Sequence, residues 1–531
     1  MSAAAGPPPT TASVSSRVRE FTRTNQVERT FAGCYAASMN MMIAAHTESR
    51  LALTHEEMVE GMQASDRALD GTYMVGVRTT GIYCLPSCKP PRKPKPENVV
   101  FFPTPEEARA YGLRACKLCR PDEFYMGDHA GETLVEGLVY GMTLDPGAYR
   151  NVSALVAASG VSSRKLHELF RTHFHTTPAD LLARARVAAA RRMLLHGTRQ
   201  VAEIAFEVGF ESLSAFNNNF RRFSAMSPLQ YRALLNAPTF DILLPDDYPT
   251  ARMLRYLGRD ANSLTDRVEG NVYTTALRLD GTGVVMRIVL QPDAARCEIM
   301  SPISDGPDTI VEIHARMLAT LGLTVDPLRF ESQMLGSPEL APLVTDQRGL
   351  RVPLVADPFD GLVWAIVGQQ ITLGFAYTLR RRLIERVSTA LADGFYTPPG
   401  AAAVAALEVA DLTALSFSRA KAEYLIDAAR AVADGRLPLH DLFGKSATRI
   451  ERTLRAVRGI GPWSAHYLMM RSYGFLDCVP VGDTGLTSGL KEFFALDVRP
   501  GKIETLALME RFSPYRSLAT FHLWQRHGTA A

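Results

Sequence analysis

No stretch of this 531-residue sequence approaches the roughly 20 consecutive apolar residues that a bilayer-spanning helix needs, which excludes a helical membrane protein. Cysteine is scarce too: seven in the whole chain, too few for the disulfide framework of a small secreted protein. The opening MSAAAGPPPTTASVSS has neither a basic start nor an apolar stretch, so no secretory leader is expected and the cytoplasm is the expected compartment. A strong charge of one sign is also missing. The formal net charge is +3, and with 47% hydrophobic and 21% charged residues the chain reads as globular rather than disordered. Its length exceeds what one hydrophobic core organises, so three or four domains are expected.

What is present is unevenly placed. From Tyr140 to Ala237 twelve Lys and Arg stand against six Asp and Glu, which favours a polyanionic partner for that segment. Cys34, Cys297 and Cys478 are isolated, whereas Cys84-x3-Cys88 and Cys116-x2-Cys119 form two close pairs, 27 residues apart. Such pairs can set four thiolates tetrahedrally, the arrangement Zn²⁺ prefers. On spacing alone, a purely structural zinc knuckle and a reactive metal site both remain open. Arg78, Arg92, Lys93 and Lys95 surround the first pair and are candidates to meet phosphates, the alternative being a solvated basic loop.

The first 52 residues are small, polar and proline-rich, then Met- and Ala-rich, and are expected to be a disordered extension. The segments VSALVAASGVSSRKLHELFRTHF and VAEIAFEVGFESLSAFNNNFRRF share one pattern: an apolar-periodic helix, a turn at Gly160 or Gly209, and a second amphipathic helix. A long helical run, ADLLARARVAAARRMLLHG, joins them. The reading is a repeated helix-turn-helix. Beyond Pro238, NVYTTALRLDGTGVVMRIVLQP alternates like strands and carries Asp280-Gly281 as a hairpin signal, predicting a small antiparallel α+β domain. From there the pattern is helical to the end. Within it, Gly459-Ile460-Gly461 lies between two apolar helices and reads as a helix-hairpin-helix whose glycines bring backbone N–H groups to a phosphate.

Three resemblances follow from these motifs. VGVRTTGIYCLPSC with RACKLCRPDE closely resembles the N-terminal metal domain of the Ada methylated-DNA repair and sensor family. That resemblance implies one zinc ion held by Cys84, Cys88, Cys116 and Cys119, with Cys84 also the methyl acceptor. The doubled motif resembles the AraC-type DNA-binding domain, implying recognition helices that point Arg164, Lys165 and His167, and Ser214, Asn217 and Asn218, at the major groove. The GIG turn, Ser464-Ala465 and the aspartate at Asp483 resemble the helix-hairpin-helix DNA glycosylases; Trp463 and the late HLW with Trp524 are similar to the AlkA-type 3-methyladenine DNA glycosylase II.

The implied glycosylase site has Asp483 as catalytic carboxylate and an aromatic pocket of Trp463, Tyr467 and Trp524, which favours a cationic alkylated base. Gly459 and Gly461 contact DNA, and Gln370 in VGQQIT fills the gap left by the extruded base. Trp463 stands where bifunctional relatives carry a Schiff-base lysine, so strand cleavage by that route is not expected, and no cysteine follows Cys478 to hold an iron-sulfur cluster. The Pro-Cys-His-Arg signature of the O6-alkylguanine transferase half of Ada is absent.

The expected chain is therefore multidomain α+β: extension 1–52, small zinc-bound α/β domain 53–130, all-α double helix-turn-helix 138–237, antiparallel α+β domain 238–312 and all-α glycosylase 313–531. Expected partners are double-stranded DNA, alkylated and operator, and RNA polymerase, with no membrane and a monomeric chain. Two alternatives belong to other classes: a regulator with an inactive glycosylase fold, and a glycosylase whose zinc module merely aids DNA binding.

Overall fold

The computed structural model describes residues 53–66, 69–119, 121–279, 281–301 and 307–528, together with Leu51. The expected extension, residues 1–52, lies outside the described residues apart from Leu51. Among the described residues no helix is long and apolar enough to cross a membrane. The chain divides between residues 126 and 127 into two compact units.

In the first unit, helix α1 (His55–Ala64) opens with a capping box, Thr54 and Glu57 each accepting the other's backbone N–H. Four strands follow: β1 (Met74–Val77), β2 (Ile82–Cys84), β3 (Val99–Phe102) and β4 (Arg114–Ala115), in sheet order β3-β1-β2-β4. A short helix, α2 (Pro105–Ala110), leads into β4. Every residue of β1 and β3 is buried, and a Cβ at Gly76 would meet Leu113 and Phe102 at 2.6 Å, so only glycine fits at the centre of β1. The decisive pairing is β2 with β4. It is parallel, so the chain leaves both strands at the same end of the sheet and delivers Cys84 and Cys116 together.

The second unit begins within helix α3 (Pro121–Leu144). The first helix-turn-helix is α4 (Val152–Ser159) and α5 (Ser163–Phe174); α6 (Pro178–Leu195) connects it to α7 (Val201–Glu207) and α8 (Leu213–Ser224). Both turns need a left-handed residue, supplied by Gly160 (φ 68°) and Gly209 (φ 96°). Ser162 and Ser212 then cap α5 and α8 through Lys165 N and Ala215 N.

Next come β5 (Thr239–Leu243), α9 (Thr250–Leu257), β6 (Asp266–Glu269), β7 (Val272–Leu279), β8 (Thr282–Leu290) and β9 (Ala294–Ile299), an antiparallel sheet of order β5-β9-β8-β7-β6. The hairpin expected at Asp280-Gly281 is there: Leu279 faces Thr282 across the turn, and Gly281 has φ 82°.

The helical body builds its site from α10 (Pro358–Val367), α11 (Leu373–Val387), α12 (Arg419–Ala433), α13 (Ala447–Arg455), α14 (Pro462–Arg471), α15 (Thr484–Phe493) and α16 (Arg516–Arg526). Helix α10 is its axis. All its residues but Asp360 and Trp364 are buried, and Gly361 lets α14 cross so closely that a Cβ there would lie 2.2 Å from Ser472 Oγ.

A network of charges locks the first helix-turn-helix to this body. Glu132 on α3, 2% exposed, accepts both guanidinium nitrogens of Arg452 at 3.1 Å and Ser446 Oγ at 2.7 Å. Glu136 accepts Ser446 N at 3.0 Å and pairs with Arg449 at 2.6 Å. From α5, His173 Nδ1 meets Thr448 Oγ1 at 2.8 Å, and just beyond it His175 Nδ1 accepts Asp477 N at 3.1 Å.

Candidate functional sites

The four paired cysteines converge. Their sulfurs all lie within 4.8 Å of one another. A tetrahedral Zn²⁺ with bonds of about 2.3 Å spaces its sulfurs about 3.8 Å apart, so a small contraction of this cluster fits the ion. Backbone N–H groups already point at two of the sulfurs, Leu85 N at Cys119 and Leu118 N at Cys116, each 3.4 Å away. Hydrogen bonds to Cys119 and Cys88 push the Cys84 thiol far above its ordinary value, while bonds from Cys119 and Cys84 bring Cys88 down to about 4. Four thiolates at once therefore require a cation among them.

The basic residues nearby divide. Arg78 is exposed and donates to Glu97 O at 2.6 Å; Arg92 and Lys95 are exposed. Lys93 turns inward instead: its Nζ donates to Met62 O at 2.6 Å and to Ser65 Oγ, bracing the cysteine loop on α1.

On α5 and α8, Arg164, Lys165, His167, Ser214, Asn217 and Asn218, the residues expected to face the groove, are all exposed. Lys165 is drawn to Glu168 at 3.0 Å, and His167 Nδ1 lies 2.9 Å from Ser163 O. Phe170 and Phe220 on the opposite faces are fully buried.

In the helical body Asp483 is the N-cap of α15, and three donors hold its carboxylate: Leu486 N at 2.7 Å and Trp524 Nε1 at 2.9 Å on Oδ1, and Trp463 Nε1 at 3.1 Å on Oδ2. Both tryptophans expected as pocket walls thus address the carboxylate with their N–H edges. Trp463 is part-exposed and stacks on Tyr467 with ring centres 5.4 Å apart; Tyr467 is 3% exposed. Trp524 is fully buried and presents no free ring face. Asp477, the other acid of this region, is bound by Arg516 at 2.7 and 2.8 Å, which holds its carboxyl below the usual range against the opposing effect of burial.

The hairpin between α13 and α14 turns at Gly459 (φ 88°), where a Cβ would lie 2.4 Å from the Tyr424 ring of α12. Gly461, exposed, is the N-cap of α14, with open space around its Cα. Gln370, between α10 and α11, is exposed and held at φ 54°, a left-handed conformation costly for a residue with a side chain and often found at functional sites. The residue missed by sequence reasoning is its neighbour. Gln369 Nε2 donates to Gly459 O and Ser464 Oγ, both at 3.0 Å, tying the Gln370 loop to the hairpin. The doubled glutamine in VGQQIT was the available signal.

Comparison with known proteins places these sites in a familiar order. Residues 57–122 match the metal binding domain of Ada, 155–234 a helix-turn-helix domain, 243–357 the AlkA N-terminal domain and 363–514 the HhH-GPD superfamily of base excision DNA repair proteins. A probable bifunctional transcriptional activator/DNA repair enzyme AlkA of Mycobacterium tuberculosis is 29% identical over 88% of this chain and 96% of its own length. DNA-3-methyladenine glycosylase 2 of Escherichia coli is 30% identical over 53% of this chain and 95% of its own. The bifunctional activator/repair enzyme Ada of Escherichia coli is 29% identical over 34% of this chain and 49% of its own.

Proposed function

Because the chain belongs to the AlkA-type family of helix-hairpin-helix DNA glycosylases, carried behind an Ada-type metal domain and a helix-turn-helix domain, we propose that it answers DNA methylation twice, by repair and by regulation. One arm hydrolyses the N-glycosidic bond of alkylated bases such as 3-methyladenine. The other transfers a methyl group from a backbone phosphotriester to Cys84 and turns the protein into a transcriptional activator, with operator DNA and RNA polymerase as partners.

The observation that carries the first arm is the caging of Asp483. A carboxylate fixed by two indole N–H groups and a helix N-terminus is preorganised before substrate arrives, and so can stabilise the oxocarbenium-like sugar and orient water at little reorganisation cost. The target base must leave the helix for its C1′ to reach Asp483; the Gly459–Gly461 hairpin grips the phosphate backbone and Gln370 props the vacated stack. Trp463 offers its part-exposed face to the cationic base, while Trp524 serves by holding the carboxylate. No amine replaces Trp463, so the products are free base and an intact abasic strand.

The convergence of the four sulfurs carries the second arm. Bound zinc would supply thiolate character at neutral pH. Cys84 Sγ attacks the methyl carbon as the phosphodiester oxygen leaves; the thioether formed has no ready route back, so the event is a single turnover. Intact protein mixed with methylated DNA should gain 14 Da on Cys84 and release 3-methyladenine. Methyl on Cys116 instead, or no released base, would overturn the corresponding arm.

A further inference from the structure

The loop that carries Gln370 runs from Gly368 to Thr372, between α10 and α11. Gln370 is exposed at its tip in a left-handed conformation, φ 54°, which persists only where neighbouring groups impose it. The adjoining residue supplies the restraint. Both hydrogens of the Gln369 side-chain amide are spent on the hairpin, Nε2 donating to Gly459 O and to Ser464 Oγ, each at 3.0 Å. A carbonyl oxygen can only accept, so the amide nitrogen must face Gly459. Neither partner has room to drift: Ser464 on α14 is 2% exposed, and the turn at Gly459 is packed against Tyr424.

Helix α12 fixes the other side of the same span. Lys421 Nζ donates at 2.7 Å to Val367 O, one of the last carbonyls of α10, which no N–H of that helix can reach. Tyr424, three residues further along α12 and so on the same face, is the ring that meets Gly459. One helix face therefore holds the end of α10 and the hairpin turn together, and Gln369 closes the gap between them.

Resting on the glycosylase reading above and on the parts it gives to Gln370 and the hairpin, we propose that Gln369 is a positioning residue for base extrusion, holding the wedge at a fixed offset from the turn that grips the phosphate backbone. The two actions have to be in register. A wedge free to drift from the grip enters beside the vacated stack rather than in it, and the flipped base returns before its glycosidic bond meets Asp483. Gln369 itself touches neither base nor phosphate; it acts through Gln370.

The test compares single-turnover base release by the full chain from two substrates: an alkylated oligonucleotide in perfect duplex, and the same strand with its lesion in a short unpaired bubble flanked by duplex. The bubble needs the grip and Asp483 but no wedge. Gln369→Leu keeps the bulk and loses both donors, so release from the duplex should fall about tenfold while release from the bubble stays within about twofold. Because Gln369 acts through Gln370, the double variant Gln369→Leu, Gln370→Ala should be no slower on the duplex than Gln370→Ala alone. Gln369→Glu turns a carboxylate oxygen toward Gly459 O; it should match Gln369→Leu, and it carries the test should Gln369→Leu not fold. Unchanged release from the duplex, an equal fall on both substrates, or losses that add in the double variant would each overturn this inference alone. Gln370→Ala without effect on the duplex overturns the wedge along with it, and wild-type protein that releases no base overturns the glycosylase reading.

Discussion

At the scale of single residues, the sharpest division lies between two acids six positions apart. Asp477 is consumed by Arg516, whereas Asp483 is held by neutral donors only, so its charge remains for a substrate. Changing Asp483 to Asn keeps size and most hydrogen bonding but removes the charge. Single-turnover excision should fall about 100- to 1000-fold, the ~3–4 kcal/mol commonly supplied by a preorganised stabiliser, while duplex affinity measured in parallel stays within about twofold. Near-normal excision would assign the chemistry elsewhere. The sequence singled out the side chains that meet here but not how each is turned. Trp463, Trp524 and Asp483 all stand out in the sequence, yet rings at positions 463 and 524 read equally well as stacking surface or as N–H donors. Only their orientation decides, and that comes from helices α14 and α16 meeting over the N-terminus of α15. Lys93 stayed open between two readings for a related reason: in a basic, proline-rich loop nothing local distinguishes a cation facing solvent from one folded back onto a helix carbonyl.

Elements were more legible. The helix-turn-helix pair, the β7–β8 hairpin and the GIG turn each announce themselves through glycines where left-handed backbone is required and through caps beside them. What periodicity does not reveal is which element packs on which, and the clamp between α3 and α13 joins residues more than 300 positions apart in sequence. Glu132→Ala removes one partner from a nearly buried ion pair and takes the acceptor from the Ser446 hydroxyl, whose oxygen still caps Arg449 N. With Arg452 about half exposed, a loss of about 2 to 3 kcal/mol is expected, below the full cost of breaking a wholly buried pair. In calorimetry the first helix-turn-helix should then unfold ahead of the glycosylase; coincident melting at the wild-type temperature would show that the clamp contributes nothing. Three histidines in this unit add a pH dependence. Burial lowers His175 and His522 to about 4 and His314 to about 3, so each stays neutral when folded. The unfolded chain takes up these protons near pH 6.5 and the folded one refuses them until pH 3 to 4. Their stabilisation is therefore complete above pH 6.5 and declines as pH falls toward 4, each by at most about 1.4 kcal/mol per pH unit. His175→Asn, which can still accept the Asp477 N–H, should flatten the slope of unfolding free energy between pH 6.5 and 5; an identical slope would remove His175 from the account.

For the whole molecule, the reason to join a methyl acceptor to a DNA reader is electrostatic. Zn²⁺ with four thiolates carries a formal charge of −2, and methylation of one thiolate makes it −1, so phosphates repel the metal domain less afterwards. Protein methylated on Cys84 should bind operator DNA more tightly than unmethylated protein, with the advantage shrinking as salt rises from 50 to 300 mM. Equal affinities at low salt would defeat this mechanism while leaving the transfer itself intact. The α3–α13 clamp is a separate coupling, which carries the reader and the glycosylase together.

That clamp also limits how the protein can be dissected or recombined. A fragment starting at the glycosylase boundary near residue 238 would lose Glu132 and Glu136, and with them the acceptors of the Ser446 hydroxyl and N–H and the carboxylates paired with Arg449 and Arg452. What remains is a cationic scar at the start of the very helix that leads into the Gly459–Gly461 hairpin. Such a fragment should adhere to polyanions without regard to damage, and a chimera with an unfused glycosylase inherits the same defect unless the acidic pair of α3 travels with it. The two readers of DNA in this chain are thus, in practical terms, a single inheritable part.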